Sequence, residues 1–337
     1  MKKKSFEKAS GAEDMDPIRV FAGSTGQDFA CGICEYLNIP IGKSSVLKFS
    51  DGNLFVKAEE TVREKDVFLI QSIGMDPNAE FTEILFWMDA FKRASARTVT
   101  AVIPYFGYAK GDKKDEPRVS IRARVCADAI ERAGADRVIT LDLHSPQIQG
   151  FFSKPVDHLY ARPVLVDQLK SLNLQDAVIV SPDAGFMKQA RKFAEDLNMP
   201  LAVGDKVRRG HDESARVLEI IGDVKDKITL VVDDFSISGG TLVDVAQGLV
   251  DRGAKEVWAV LSHFLLREKG VQAIVNSPIK RIIGTDTVYN PFIIGQEKFK
   301  IYSVAPLVAE TIKRIHFGRS VSPLFDQIDG LVGREKQ

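Results

Sequence analysis

Cysteine is scarce in this chain, and neither sign of charge is in excess. Its three cysteines cannot build a disulfide framework, so a reducing, cytoplasmic setting is expected. Lys+Arg and Asp+Glu both number 46, giving a formal net charge of zero. Proteins that hold nucleic acid by neutralising many phosphates carry a basic excess, so no nucleic-acid partner is expected. Long hydrophobic runs are absent as well. The longest mainly apolar ones, such as Ile228–Val232 and Val257–Leu261, are strand-sized, whereas a helix needs roughly 20 apolar residues to span a bilayer. No membrane partner is expected, and the basic start Met1–Ser5 lacks the apolar stretch of a secretory signal. The Walker-type Gly-x-x-x-x-Gly-Lys-Ser/Thr loop is missing, so a nucleoside triphosphate would have to be held in another way. His158, His211 and His316 have no nucleophile signature near them, which leaves a Ser-His-Asp triad without support. Cys31-Gly32-Ile33-Cys34 has the spacing of a metal or redox motif, but no second ligand pair accompanies it and Cys126 is remote. A zinc site needs four ligands or three plus water, so these are read as semi-buried helix cysteines.

What is present is globular. The 337 residues are 45% hydrophobic and 27% charged, and at roughly 100–200 residues per domain they suggest two domains or one large one. Residues 1–16 are rich in Lys, Glu, Asp, Ser and Gly without periodicity and are read as a flexible arm. From Ile18 the chain alternates short β-rich runs with helical patterns. The clearest strands are Val67–Ile73, Val99–Ile103, Val138–Leu143, Ala177–Val180, Ile228–Val232, Val257–Leu261 and Arg281–Ile283. Most are near-continuous apolar runs, the pattern of strands covered on both faces. Between them Phe29, Ile33 and Leu37, then Ile84, Met88 and Phe91, then Leu242, Val245 and Leu249 recur at helical spacing. The alternation predicts βαβ units and an α/β fold with mostly parallel sheets flanked by helices. An echo suggests that the unit occurs twice. Gly134–Val138 opens a strand reaching His144, and Gly253–Val257 opens one reaching His263 at the same ten-residue interval. Each Gly would suit a helix C-cap; the bland alternative is that any helix-to-strand joint looks this way. The polar stretch around Phe152–Pro163 divides the halves, giving units over residues 17–160 and 161–325.

The sharpest chemical signal is Val231-Val232-Asp233-Asp234-Phe235-Ser236-Ile237-Ser238-Gly239-Gly240-Thr241-Leu242. A strand delivers two acids to its C-terminal end, where parallel α/β sheets bind ligands, and a small-residue turn then enters a helix. Backbone N–H groups at that helix start suit a phosphate monoester, and glycines allow close approach. The adjacent carboxylates can hold sugar hydroxyls; otherwise they are solvated acids before a capped helix.

This stretch resembles the ribose-phosphate loop of type I phosphoribosyltransferases and of the ribose-phosphate pyrophosphokinases (phosphoribosyl diphosphate synthetases). The rest of the chain resembles the latter family, through Phe21-Ala22-Gly23, Lys48-Phe49-Ser50-Asp51-Gly52, Val102–Ala109, Asp142-Leu143-His144, Gln147-Ile148-Gln149-Gly150-Phe151-Phe152, Ser181-Pro182-Asp183 and Ile220–Val224. The resemblance implies two phosphoribosyltransferase-like domains related by pseudo-twofold symmetry, ATP on the first and ribose 5-phosphate on the second. It also implies that the extreme C-terminal segment packs back on the first domain. The implied reaction moves the diphosphoryl group of ATP to the 1-hydroxyl of ribose 5-phosphate and releases AMP, with Mg²⁺ and cations offsetting triphosphate charge. The small-molecule partners would then be ATP and ribose 5-phosphate, and a dimer-based homo-oligomer, up to a hexamer, is implied. Ribose 5-phosphate would lie on Asp233, Asp234, Ser236, Ser238, Gly239, Gly240 and Thr241. His144 and Asp183 are the implied magnesium contacts, with Asp142 beside them: Asp142 and His144 are two apart, so on a straight strand they share a face. Lys206 and Arg208, with Arg209, Gly210 and His211 following, match a mobile catalytic loop whose cations stabilise the transferring phosphorus and whose closure excludes water. Phe49, Asp51 and Asn53, with Lys110, Asp112, Lys113 and His144, match the ATP positions; without the family they are a core aromatic and a charge cluster. Arg63, Ser320 and Ser322, near Phe325, resemble a regulatory site for which inorganic phosphate is an activator.

Departures from the family pattern are specific. Asn53 stands for a Glu beside the adenine, Lys110 and Gly111 for Arg-Gln, Phe186 for Gly, Ile237 for Asp and Ser238 for Thr. Lys does not reproduce a bidentate Arg, so altered nucleotide contacts are expected. Two alternatives stand beside the synthetase: a non-catalytic homologue that modulates an active one, and a phosphoribosyltransferase that consumes the diphosphate.

Overall fold

Two parallel sheets organise the computed structural model, which describes residues 15–208, 216–325 and 335–336, with backbone alone for 205–208, 216–218 and 335–336. Residues 1–14 of the expected arm, and Arg209, Gly210 and His211, lie outside the described residues. The first half runs β1 (Ile18–Ala22), α1 (Gln27–Leu37), β2 (Ser44–Lys48), β3 (Leu54–Ala58), β4 (Asp66–Ile70), α2 (Pro77–Arg93), β5 (Thr98–Ile103), α3 (Arg122–Ala133), β6 (Arg137–Leu141), β7 (Val156–Leu159) and α4 (Arg162–Ser171). The second half runs β8 (Ala177–Ser181), α5 (Met187–Leu197), β9 (Leu201–Arg208), β10 (Arg216–Ile221), β11 (Ile228–Ser236), α6 (Gly240–Asp251), β12 (Glu256–Phe264), α7 (Glu268–Val275), β13 (Ile279–Thr285), β14 (Phe299–Tyr302) and α8 (Ala305–His316). Element for element, the two halves repeat, and because α4 is the counterpart of α8 the first repeat ends at Ser171 and not at the expected residue 160. The sheet orders are β1-β4-β5-β6-β7 and β8-β11-β12-β13-β14, parallel throughout, with β9 and β10 extending one edge of the second sheet and β15 (Glu335–Lys336) the other.

Strands sandwiched between helix layers need apolar side chains on both faces. All five residues of β4 are buried, as are all five of β8. Outside the first sheet, Phe91 of α2 stacks on Trp87 and Phe21 with ring centroids 5.1 and 4.9 Å apart. Between the sheets lies one shared core to which α1, α4, α5 and α8 all contribute, including Ile33, Leu165, Phe193 and Leu307. The pairing inside it is crossed. Helix α8, last of the second half, packs on α1 of the first, and α4, last of the first half, packs on α5 of the second. A twofold relation between the halves demands that reciprocity. Among the described residues no helix is long and apolar enough to cross a membrane.

The Gly134 and Gly253 echo does not fall on equivalent places. It marks the α3–β6 and α6–β12 joints, whereas the repeat equates α3–β6 with α7–β13. The bland explanation holds for that echo, and the duplication shows elsewhere. Leu37-Asn38-Ile39-Pro40 and Leu197-Asn198-Met199-Pro200 end α1 and α5. Asn38 and Asn198 both turn left-handed, at φ 54° and 51°, and in each case the Asn amide and that of the next residue donate to carbonyls of the last helical turn. Pro then forbids continuation.

Left-handed backbone costs roughly 1–2 kcal/mol for a residue that cannot tolerate it, and Asn and Gly tolerate it best. Asn38→Val should therefore lower unfolding stability by about that amount, while Asn38→Gly should leave it level within about 0.5 kcal/mol. Urea titration checks both; equal losses would show that the side chain, and not the backbone, matters at Asn38.

Candidate active site

Strand β11 runs four residues further than its apolar pattern, to Ser236, and so carries both acids inside hydrogen-bonded sheet. Asp233 and Asp234 stand beyond the end of β8 and beside β12. Each carboxylate accepts from the following amide, at 2.9 and 2.8 Å. The turn then opens. Gly239 takes φ 76°, and a Cβ there would lie 3.1 Å from the Gly270 carbonyl oxygen, which explains glycine. The Gly239 and Gly240 amides reach only the hydroxyls of Ser236 and Ser238, at 3.2 and 3.4 Å. Ile237 is 47% exposed and points away from this turn into a neighbouring cavity. Phe186 packs against the shared core as the N-cap of α5. Neither departure plugs the turn.

The geometry beside His144 differs from the straight-strand expectation. Strand β6 stops at Leu141, and Asp142 turns left-handed at φ 39°. Asp142 consequently faces inward, where its carboxylate accepts from the Ala161 amide at 2.9 Å. His144 instead emerges half-exposed, and its Nδ1 lies 2.7 Å from Asp234 Oδ2. One half supplies the imidazole and the other the carboxylate. Asp183 is exposed in the β8–α5 loop, where Oδ1 accepts from the Phe186 amide at 3.0 Å, and its charge reaches Asp233.

Burial and crowding set the charges. Burial, with the Asp234 charge next, pushes the Asp233 carboxyl up to about 8. Burial likewise raises Asp142 to about 6. The hydrogen bond to Asp234 raises His144, opposed by desolvation and by Lys110. Behind them His263 is wholly buried, with Nδ1 2.8 Å from Thr287 Oγ1, and burial lowers it to about 4, so it stays neutral. Among the described residues no group of three or more His, Cys, Asp or Glu is ready-made for a metal ion.

Other predicted positions divide. Lys110 stands 4.5 Å over the Phe235 ring, which lies 5.8 Å from the His144 ring, and Asp112 is close enough to act on His144. Lys113 is exposed. Phe49 and Asp51 sit apart, at the tip of the β2–β3 hairpin. Phe49 is 52% exposed, and its ring lies 6.3 Å from that of Phe55. Asn53 donates its amide and Nδ2 to Asp51 at 3.0 and 2.8 Å, which holds that carboxyl below its usual range. Lys206 and Arg208 lie on β9, paired with Leu218 and Arg216; their side chains are outside the described residues. Arg63 is exposed before β4, and Ser320 accepts through its carbonyl from Arg314 Nη1 at 2.9 Å, while the Ser322 amide donates to Ser320 Oγ at 3.3 Å. The segments bearing them meet where His316 Nδ1 lies 2.7 Å from Asp66 Oδ2. Cys34 is buried and its thiol is pushed up to about 12 by that burial, which suits inert helix cysteines.

The repeat identifies what is special about the second half. Strand register equates Gln71 and Ser72 with Asp233 and Asp234, and Asp286 and Val288 with Asp142 and His144. At the first-half turn the buried Glu80 carboxylate accepts from the Gly74 and Asp76 amides, at 2.5 and 3.1 Å. That turn is filled by its own carboxyl group; the second-half turn has only serine hydroxyls on its amides.

A family model described as the N-terminal domain of ribose phosphate pyrophosphokinase matches residues 18–134, and one described as the phosphoribosyl synthetase-associated domain matches residues 204–326. Curated relatives named ribose-phosphate pyrophosphokinase include that of Caldanaerobacter subterraneus, 47% identical over 91% of this chain and 98% of its own. That of Bacillus subtilis is 43% identical over 91% and 97%. A crystal structure of phosphoribosylpyrophosphate synthetase from Mycobacterium smegmatis matches with a TM-score of 0.82 at 34% identity, covering 89% of this chain and 99% of that one.

Removing the Asp234 charge removes the group that favours the imidazolium. In Asp234→Asn, the His144 titration followed by histidine NMR should move to lower pH; an unmoved titration would show that the His144–Asp234 contact is not formed in solution.

Proposed function

This chain belongs to the ribose-phosphate pyrophosphokinase family, and we propose that it transfers the diphosphoryl group of ATP to the 1-hydroxyl of ribose 5-phosphate, releasing AMP. The observation that carries this is the asymmetry of the repeat: carboxylate pair, unfilled amide turn and His144 converge at one strand end only. A modulator has no use for that convergence. A phosphoribosyltransferase would have none for Lys110 and His144 brought over it from another half.

In this assignment Asp233 and Asp234 accept hydrogen bonds from the ribose hydroxyls, and the proton held by Asp233 lets the crowded pair stay buried. The phosphate lies on the amides of Gly239 and Gly240 with Ser236, Ser238 and Thr241 around it, at the start of α6, where the helix dipole favours an anion. Lys206 and Arg208 stabilise the phosphorus under attack from the β9–β10 hairpin. The donor set fits Mg²⁺. His144 bonds Asp234 through Nδ1 and so keeps Nε2 for a ligand, a carboxylate–imidazole arrangement typical of metal sites. Asp183 would be the second donor, and an ion that keeps much of its water needs few ligands from the protein. When bound, the ion offsets triphosphate charge as the bond to AMP breaks.

Phe49 and Asp51 are the adenine contacts in this proposal. Because the hairpin tip touches neither Lys110 nor His144 within one chain, a second copy delivers it, making the protein a homo-oligomer with shared ATP sites. Arg63, Ser320 and Ser322 are assigned to phosphate regulation, and the cytoplasm to the protein as its compartment.

Incubation with ATP, ribose 5-phosphate and Mg²⁺ should release AMP, and EDTA should abolish it. His144→Ala should lower turnover by about tenfold or more. Absence of AMP from the purified chain, with and without phosphate, would rule out the synthetase, and wild-type rates in the variant would remove His144 from the site.

A further inference from the structure

A cavity of about 230 Å³ between the halves joins Lys110, Gly111 and Arg122 of the first to Phe235, Ile237 and Arg267 of the second. Arg122 is the first residue of α3, and no acidic residue stands in that helix's first turn. A cation there opposes the helix dipole. No carboxylate pairs with Arg122 or Lys110 among the described residues, whereas Arg124, two residues along, pairs with Asp128 at 2.9 Å. Arg267 donates to the Met75 carbonyl instead. The position of Arg122 is tied to Gly111. A Cβ built on Gly111 would lie 2.6 Å from Arg122 Nε and 3.3 Å from Cζ. The guanidinium therefore lies across bare glycine backbone, in the space a side chain at Gly111 would take.

Resting on the ATP-dependent activity proposed above, we infer that Arg122 is a nucleotide-binding residue that grips the phosphate chain of ATP. Lys110 supplies a point charge to this cavity but no planar fork, and Gly111 supplies nothing. Arg122 restores the fork from a different element. Guanidinium and phosphate form paired, charge-assisted bonds that an ammonium does not reproduce. Gly111 is then small for a reason: it admits Arg122.

Calorimetry with ATP and Mg²⁺ tests this, beside kinetics in which ATP and ribose 5-phosphate are varied separately. Arg122→Ala should weaken ATP binding and raise the KM for ATP about tenfold or more, leaving the KM for ribose 5-phosphate within about twofold. Arg122→Lys should recover only part. Gly111→Leu should expel the guanidinium and weaken ATP binding comparably, and adding Arg122→Ala to it should cost nothing further, since coupled groups are not additive. Arg124→Ala should match wild type. Unchanged ATP affinity in Arg122→Ala, or fully additive losses in the double variant, would overturn the inference. Wild-type protein that binds ATP but releases no AMP would fail the activity and leave the role of Arg122 to the binding ratios.

Discussion

The contact between His144 and Asp234, 2.7 Å across the boundary between the halves, is the interaction on which the site depends. Neither half holds a complete set of groups. The first contributes an imidazole from the turn after β6 and a lysine over Phe235; the second contributes the acids and the open amide turn. They meet only because the halves are locked by a common core, in which α8 lies on α1 and α4 on α5. Burial of residues such as Leu165, Leu307 and Ile312 contributes about 1.5–3 kcal/mol each, so the alignment of His144 with Asp234 is maintained far from the chemistry.

Much of this was legible in the sequence. Strands buried on both faces appear as continuous apolar runs, and an acidic pair followed by Gly-Gly-Thr marks a strand end entering a helix. What escaped were features decided by backbone sign and by partners distant in the chain. Asp142 and His144 have the spacing of strand neighbours, but the left-handed turn at Asp142 sends one inward and the other out. No local pattern announces that turn. The Gly134 echo misled because a Gly-Ala-x-x-Val joint answers a local need for helix termination, which recurs at any such joint. Leu-Asn-x-Pro answers a narrower one, a left-handed Asn with Pro two residues on, and that is the echo that marks the repeat.

Duplication also explains why two unlike parts of the proposed chemistry ride on hairpins. The β2–β3 hairpin bearing Phe49 and Asp51 and the β9–β10 hairpin bearing Lys206 and Arg208 occupy the same place in the repeat, each following the first helix of its half. The first hairpin stands as a two-stranded sheet of its own, whereas the second continues the edge of its half's sheet; in the proposed function one serves the base and the other the reacting phosphorus. Both halves inherited a turn that can hold an anion. The first closed its turn with Glu80, which buries a carboxylate against the Gly74 and Asp76 amides and so fixes the loop without any ligand. The second kept only hydroxyls there, and in the proposed function the phosphate of the sugar takes the place that the Glu80 carboxyl fills in the first.

The same comparison separates architectural acids from chemical ones. Asp142 accepts from the amide of Ala161, the N-cap of α4, and Asp286 accepts from the amide of Val304, the N-cap of α8, both at 2.9 Å. An aspartate kept at this place in both halves, with the same partner in each, answers a need of the fold: an otherwise unpaired helix-end amide must be satisfied. Chemistry alone would not require it twice, since the other half has Val288 where this one has His144. The raised proton affinity of Asp142 follows from the burial that its capping role imposes. Of the two residues in Asp-Leu-His, the histidine is the one free to face a substrate, and the aspartate builds the turn that presents it.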